Sequence, residues 1–96
     1  MKNEVVLVIH PFAKDVAPKD MVLKPLEEAS EIYSAWQRDA VIEGDMWRPF
    51  GMEIADCIQA CVNLAARYNI DLNESLRLVE EKNRKRGYYR EQLAES

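Results

Sequence analysis

At 96 residues and 11.1 kDa the chain holds one domain, spanning 1–96, with no room for a second independently folding unit. A content of 48% hydrophobic and 31% charged residues is that of a soluble globular chain and argues against disorder. The formal net charge of −4 argues against a general attraction to nucleic acid or to an anionic membrane. The longest apolar run, Val5 to Ile9, is far short of the roughly 20 residues a membrane span needs. Acidic Glu4 before that run and His10-Pro11 after it are not the flanks of a signal peptide. Two cysteines, Cys57 and Cys61, cannot build a disulfide framework, and a cytoplasmic location is expected.

In chain order, residues 3 to 9 favour a short extended segment, being rich in Val, Leu and Ile. Residues 10 to 20, with Pro11 and Pro18, read as a loop. A first helix is expected from Pro25, whose fixed φ suits a first turn, to about Asp39–Ala40. Its apolar positions Leu26, Ala29, Ile32, Tyr33 and Trp36 recur at three and four residues, which predicts a core-facing stripe and places Trp36 in it. After the turn-like Glu43-Gly44-Asp45, a second helix is expected from about Pro49 to Tyr68. Phe50, Ile54, Ile58, Cys61, Val62, Ala65 and Tyr68 form its stripe, in which the cysteines serve as small apolar residues. Asn69 suits its stop, and Asp71 with Glu74 fits a capping box for a third helix ending at Gly87. Leu72, Leu76 and Val79 are the apolar side of that helix. The fold class is therefore all-α: a compact bundle of about three main helices with a short extended N-terminal segment. Three short helices bury limited area, so completion by oligomerisation is expected.

Charge is unevenly placed. Between Glu27 and Asp56 eight acids face only Arg38 and Arg48, whereas between Arg77 and Arg90 six bases face only Glu80 and Glu81. Solvated helix faces would give such blocks, and so would a site that holds cations first and an anion second.

Two acid groups have a common spacing: Glu27-Glu28-x-x-Glu31 on the first helix and Glu53-x-x-Asp56 on the second. Partners three apart lie about 60° from each other around a helix axis, one turn along. Glu28 lies about 40° beyond Ile32, and Glu53 about 40° beyond Cys57, so both groups border apolar stripes. Packing the two helices would gather four carboxylates, whose mutual repulsion raises their pKa values unless cations enter. Mg²⁺ prefers such hard oxygen ligands, and a metal pair can bridge phosphate oxygens and activate water. Zinc fits less well, because His10 is the only histidine and the cysteines stand apart from the acids. Spacing alone leaves two readings standing: exposed helix surface, or a divalent-ion site.

At these residues the chain resembles the all-α nucleoside triphosphate pyrophosphohydrolase superfamily, and within it the compact MazG-like proteins. The shared pattern is Glu-Glu-x-x-Glu, a spacer, then Glu-x-x-Asp, here Glu27-Glu28-Ala29-Ser30-Glu31 and Glu53-Ile54-Ala55-Asp56. Lys82-Asn83-Arg84-Lys85-Arg86 stands where relatives carry a Lys/Asn/Arg cluster. The resemblance, over roughly residues 24 to 88, implies Mg²⁺-dependent cleavage (Mn²⁺ substituting) of a (deoxy)nucleoside triphosphate between its α- and β-phosphates. The products would be monophosphate and pyrophosphate. It implies a homodimer or homotetramer with the site near a subunit interface. It implies Glu28, Glu31, Glu53 and Asp56 as metal ligands, with Glu27 as a group behind them, a water-orienting base or a structural residue. Lys82, Asn83 and Arg86 would contact phosphates, a task suited to Arg as a fork and Lys as a point charge. Lys24 is a phosphate contact or a solvated residue. Many relatives carry a further helix ahead of the first acid motif that shapes the base pocket; here a short apolar segment and a loop stand there, so nucleobase preference does not carry over. A non-catalytic nucleotide-binding or regulatory module on the same scaffold is the alternative.

Trp47, in the loop before Arg48-Pro49, is a candidate for stacking on a base. Asn63, two turns after Asp56 on the same side, would bond a base or bond within the bundle. His10 has no companion ligand, and Tyr88-Tyr89 would pack the tail back or cover a partner subunit.

Overall fold

The computed structural model describes residues 4–38 and 47–89. Three helices account for the regular structure among them: α1 (Pro18–Arg38), α2 (Trp47–Arg67) and α3 (Leu72–Lys85). The all-α expectation therefore holds. The turn-like Glu43-Gly44-Asp45 and the expected end of α1 at Asp39–Ala40 lie outside the described residues.

Helix α1 starts at Pro18, not Pro25, and Pro25 sits inside it. Either proline offers a fixed φ for a first turn, and Pro18 takes that place. Met21 N–H donates to the Ala17 carbonyl at 3.1 Å, closing the opening turn. Pro25 has no N–H for the turn before it, a cost the helix carries within its length. Its carbonyl accepts the Cys57 thiol of α2 at 3.7 Å. Helix α2 likewise starts before its expected proline, so Trp47 opens the helix and Pro49 lies in its first turn, where no N–H is needed.

The C-terminal ends of α2 and α3 are built alike. Asn69 takes a left-handed φ of 54°, Ile70 N–H donates to Ala65 O at 2.9 Å, and Asn69 N–H to Ala66 O at 3.1 Å. Gly87 repeats this with φ 72°, Tyr88 N–H donating to Asn83 O at 3.1 Å and Gly87 N–H to Arg84 O at 3.0 Å. These are paired 6→1 and 5→2 closures of helix carbonyls that otherwise lack partners. At the start of α3, Asp71 accepts Glu74 N–H at 3.1 Å. The Glu74 carboxylate turns to Arg77 instead, at 2.7 and 2.9 Å, so half of the expected box forms.

The described part of the expected extended segment, from Glu4 to Ile9, forms no strand. A strand needs a neighbour for its ladder, and no second strand exists among the described residues. The segment is held to α2 by side chains: Gln59 Nε2 donates to His10 O at 2.9 Å, and Phe12 N–H donates to Asn63 Oδ1 at 2.9 Å. Asp15 pairs with Arg67 at 3.7 Å.

Asp15 meets Arg67 while Pro25 meets Cys57, so the partner number falls as α1 advances: α1 and α2 are antiparallel. They pack as a hairpin, and α3 packs extensively on neither. The buried apolar residues among those described are the alanines Ala35, Ala60 and Ala65. Small side chains at the contact let two helices approach closely but remove little area from water. Much of the predicted stripes therefore remains open in one chain: Leu26, Tyr33 and Trp36 on α1, Ile54 and Ile58 on α2, and Tyr68 just after it are exposed. Trp36, expected in the core, is 54% exposed and stacks on Tyr33 with ring centroids 5.9 Å apart.

The hairpin has two unlike sides. On α1 the exposed stripe Val22, Leu26, Tyr33 and Trp36 is rotated about 100° one way from the line of contact, and Glu31 about 80° the other way. On α2, Ile54, Ile58 and Cys61 are rotated in the first sense and Asp56 in the second. Because the helices are antiparallel, equal senses of rotation fall on the same side. One side of the hairpin is apolar, and the other is polar and carries the two acid groups.

Candidate metal and phosphate site

The acidic side is built where the two sequence groups cross. Glu28 from the middle of α1 meets Glu53 and Asp56 from the first half of α2, and one carboxylate oxygen of each lies within 4.8 Å of the others. Glu28 is buried at 9% exposure, Glu53 is half-buried and Asp56 is exposed, so the group opens outward through Asp56. Glu31, one turn along α1, stands outside that set, so three of the four expected ligands are brought together, with Glu31 near enough to feel the charge of Glu28 and Glu53. Its carboxyl is held above the ordinary glutamate range, chiefly by the negative charge of Glu28, then by partial loss of water and by Glu53.

Lys24, one turn before Glu28, is the cation at the edge of this set. Its ammonium lies 3.3 Å from Glu28 Oε1 and 3.4 Å from Glu27 Oε1. The hydrogen bond to Glu28 and the charge of Glu27 raise its pKa above the usual lysine range. Glu27 faces solvent with Lys24 and stands outside the set formed by Glu28, Glu53 and Asp56.

Three carboxylates with hard oxygen donors fit a divalent cation of the Mg²⁺ type. Octahedral ligands at about 2.1 Å from an ion lie about 3 to 4 Å apart, so a spread of up to 4.8 Å closes on an ion by small side-chain rotations.

The expected phosphate contacts lie elsewhere in the chain. Lys82, Asn83 and Arg86 are on the last turns of α3, and no hydrogen bond or ion pair among the described residues joins them to Glu28, Glu53 or Asp56. Their surroundings are strongly basic. Lys82 and Arg86 line a shallow surface cavity with Leu78, Glu81 and Lys85. Glu81 is taken up by Lys85 at 3.3 Å and by Arg77 at 3.3 Å, and Arg84 lies over the Tyr89 ring at 4.9 Å.

Asn63 is engaged within the chain. Its Oδ1 accepts both Phe12 N–H at 2.9 Å and Gln59 Nε2 at 3.0 Å. Gln59, which the sequence did not single out, joins Asp56 and Asn63 in a polar row on one side of α2. Cys57 is half-buried and Cys61 exposed, and partial loss of water, then the neighbouring Cys57, raises the Cys61 thiol above its usual pKa.

No helix among the described residues is long and apolar enough to cross a membrane. No protein-family model, no curated protein and no solved structure matches the chain.

Proposed function

We propose that the chain is a Mg²⁺-dependent nucleoside triphosphate pyrophosphohydrolase, cleaving a (deoxy)nucleoside triphosphate between its α- and β-phosphates. The observation that carries this reading is the meeting of Glu28, Glu53 and Asp56 from two helices, with Glu31 beside them. These four residues come from the two motifs whose order resembles that of the MazG-like proteins. A bound divalent ion there supplies charge for phosphate oxygens and lowers the pKa of water. Glu28, Glu31, Glu53 and Asp56 hold it, while Lys82, Asn83 and Arg86 stabilise charge on the departing pyrophosphate. Glu27, exposed beside the set, orients water or supports the ligands through Lys24. Mn²⁺ would substitute, being equally content with oxygen ligands.

The protein acts as a homodimer or homotetramer in this reading. The open apolar side of the hairpin supports association, and the separation of α3 from the acids supports a site completed between copies. The same separation favours a second reading, in which the chain binds nucleotide without turning it over.

Incubating the purified protein with a nucleotide panel and Mg²⁺ separates these. Release of pyrophosphate, abolished by Glu53→Gln and by Asp56→Asn, is the expected result. Orthophosphate as the first product would place cleavage at the terminal phosphate and overturn the assignment. Binding seen by calorimetry with no product would leave the second reading.

A further inference from the structure

We propose that Lys24 is the resident cation of the acidic site: its ammonium pairs with the Glu28 carboxylate that a divalent ion would also draw on, so the Lys24–Glu28 pair and the bound ion compete. This rests on the divalent-ion reading of Glu28, Glu53 and Asp56. Three observations carry it. The ammonium lies 3.3 Å from Oε1 of Glu28, the most buried member of the set, whose side chain is 12% exposed. An ammonium at that distance from the carboxylate stands within a few ångström of any ion the same carboxylate holds, and the two cations repel. Lys24 is itself half-exposed, with a side chain long enough to withdraw into water.

The pair is poorly explained as helix support alone. In an i,i+4 pair the order with the acid N-terminal to the base is the more stabilising one, and here the lysine precedes the glutamate. Glu27, exposed and adjacent, offers the same ammonium a second partner at 3.4 Å. It thus keeps Lys24 at the rim when Glu28 releases it. Glu27 then has a positioning role, exerted on the set through Lys24.

Mn²⁺ binding followed by electron paramagnetic resonance tests this on the intact chain. Lys24→Met should bind Mn²⁺ about fivefold tighter than wild type, the scale of one charge-assisted pair. Lys24→Arg, which keeps a cation at the rim, should stay within about twofold of wild type. Lys19→Met, on the same helix but outside the pair, should also leave binding unchanged. Unchanged or weaker binding by Lys24→Met overturns the proposal, as does an equal gain from Lys19→Met, which would reduce the effect to net charge. A second readout needs no variant. Lysine acetylation mapped by mass spectrometry should label Lys24 faster when Mg²⁺ is added, and an unchanged or slower rate overturns the proposal. Wild-type protein that binds no Mn²⁺ at millimolar concentration removes the divalent-ion reading itself, a result distinct from equal binding by wild type and Lys24→Met.

Discussion

Asn63 and Phe12 are joined across 51 positions of sequence by one hydrogen bond, the Phe12 N–H to Asn63 Oδ1 at 2.9 Å. With Gln59 donating to His10 O, it is how a segment without strand or helix keeps its place on α2. Asn63→Ala should cost about 1 kcal/mol. It should also release the Phe12 amide to faster hydrogen exchange, whereas Asn63→Asp, which keeps an acceptor, should retain the protection. Unchanged exchange in Asn63→Ala would show that other contacts hold the segment.

Glu31 sets a pH dependence of defined sign. Its carboxyl is raised in the folded chain, so the folded state holds a proton that the unfolded state has already lost. Metal-free stability should therefore fall as pH rises from the ordinary glutamate range through the raised pKa of Glu31. Glu31→Gln should flatten this slope and raise the melting temperature in chelator at neutral pH. Thermal melts from pH 4 to 8, with and without Mg²⁺, check it. Glu74, lowered by its hydrogen bonds to Arg77, works in the opposite sense, and its contribution is lost as pH falls through its pKa.

Replacing Leu26 or Ile58 by Glu tests the apolar side of the hairpin. Both side chains are exposed in a single chain, where such a change is worth no more than about 0.5 kcal/mol. In an oligomer that covers them, the same change buries an unpaired charge and should halve the mass measured by light scattering. An unchanged mass with unchanged stability would show that this side faces water.

Asp71→Ala removes the acceptor of Glu74 N–H and should cost about 1 kcal/mol of helix stability. Because α3 packs extensively on neither neighbour, the loss should show as fraying of α3, read by amide exchange over Leu72–Lys85, with little change in the exchange of α1 and α2.

In activity, Glu53→Gln and Asp56→Asn should each lower pyrophosphate release by about 100-fold or more, beyond what loss of an outer supporting group costs. Both should also weaken Mn²⁺ binding.

Much of this architecture was legible because it is local. The period of three and four located α1 and α2, and Asn69, Asp71 and Gly87 marked ends that the backbone confirms by φ and by hydrogen bond. The crossing of Glu28 with Glu53 and Asp56 was legible too, since each lay at the edge of a stripe that had to pack. The stripes themselves were harder to apportion. Periodicity says that Leu26, Tyr33 and Trp36 avoid water, but not whether their own chain covers them, and alanines make the contact instead. Pro25 misled because two prolines competed for one helix start. Val5 to Ile9 has strand composition but no strand beside it, and a ladder is a property of two segments. Gln59 escaped because its partner, the His10 carbonyl, is remote in sequence, and the pairing of Lys24 with Glu28 escaped because its order is the less usual one on a helix.

The four residues from Tyr68 to Asp71 leave little slack. Tyr68, Asn69 and Ile70 each commit a main-chain N–H to the closing turn of α2, and Asp71 already caps the next helix. With side-chain contact sparse, the bearing of α3 is set by the torsions of this elbow. It behaves as a bracket carrying the basic end of the molecule out from the hairpin. Decoration of either helix surface would leave that bearing alone, while one altered dihedral at Asn69 would sweep every downstream charge through space together.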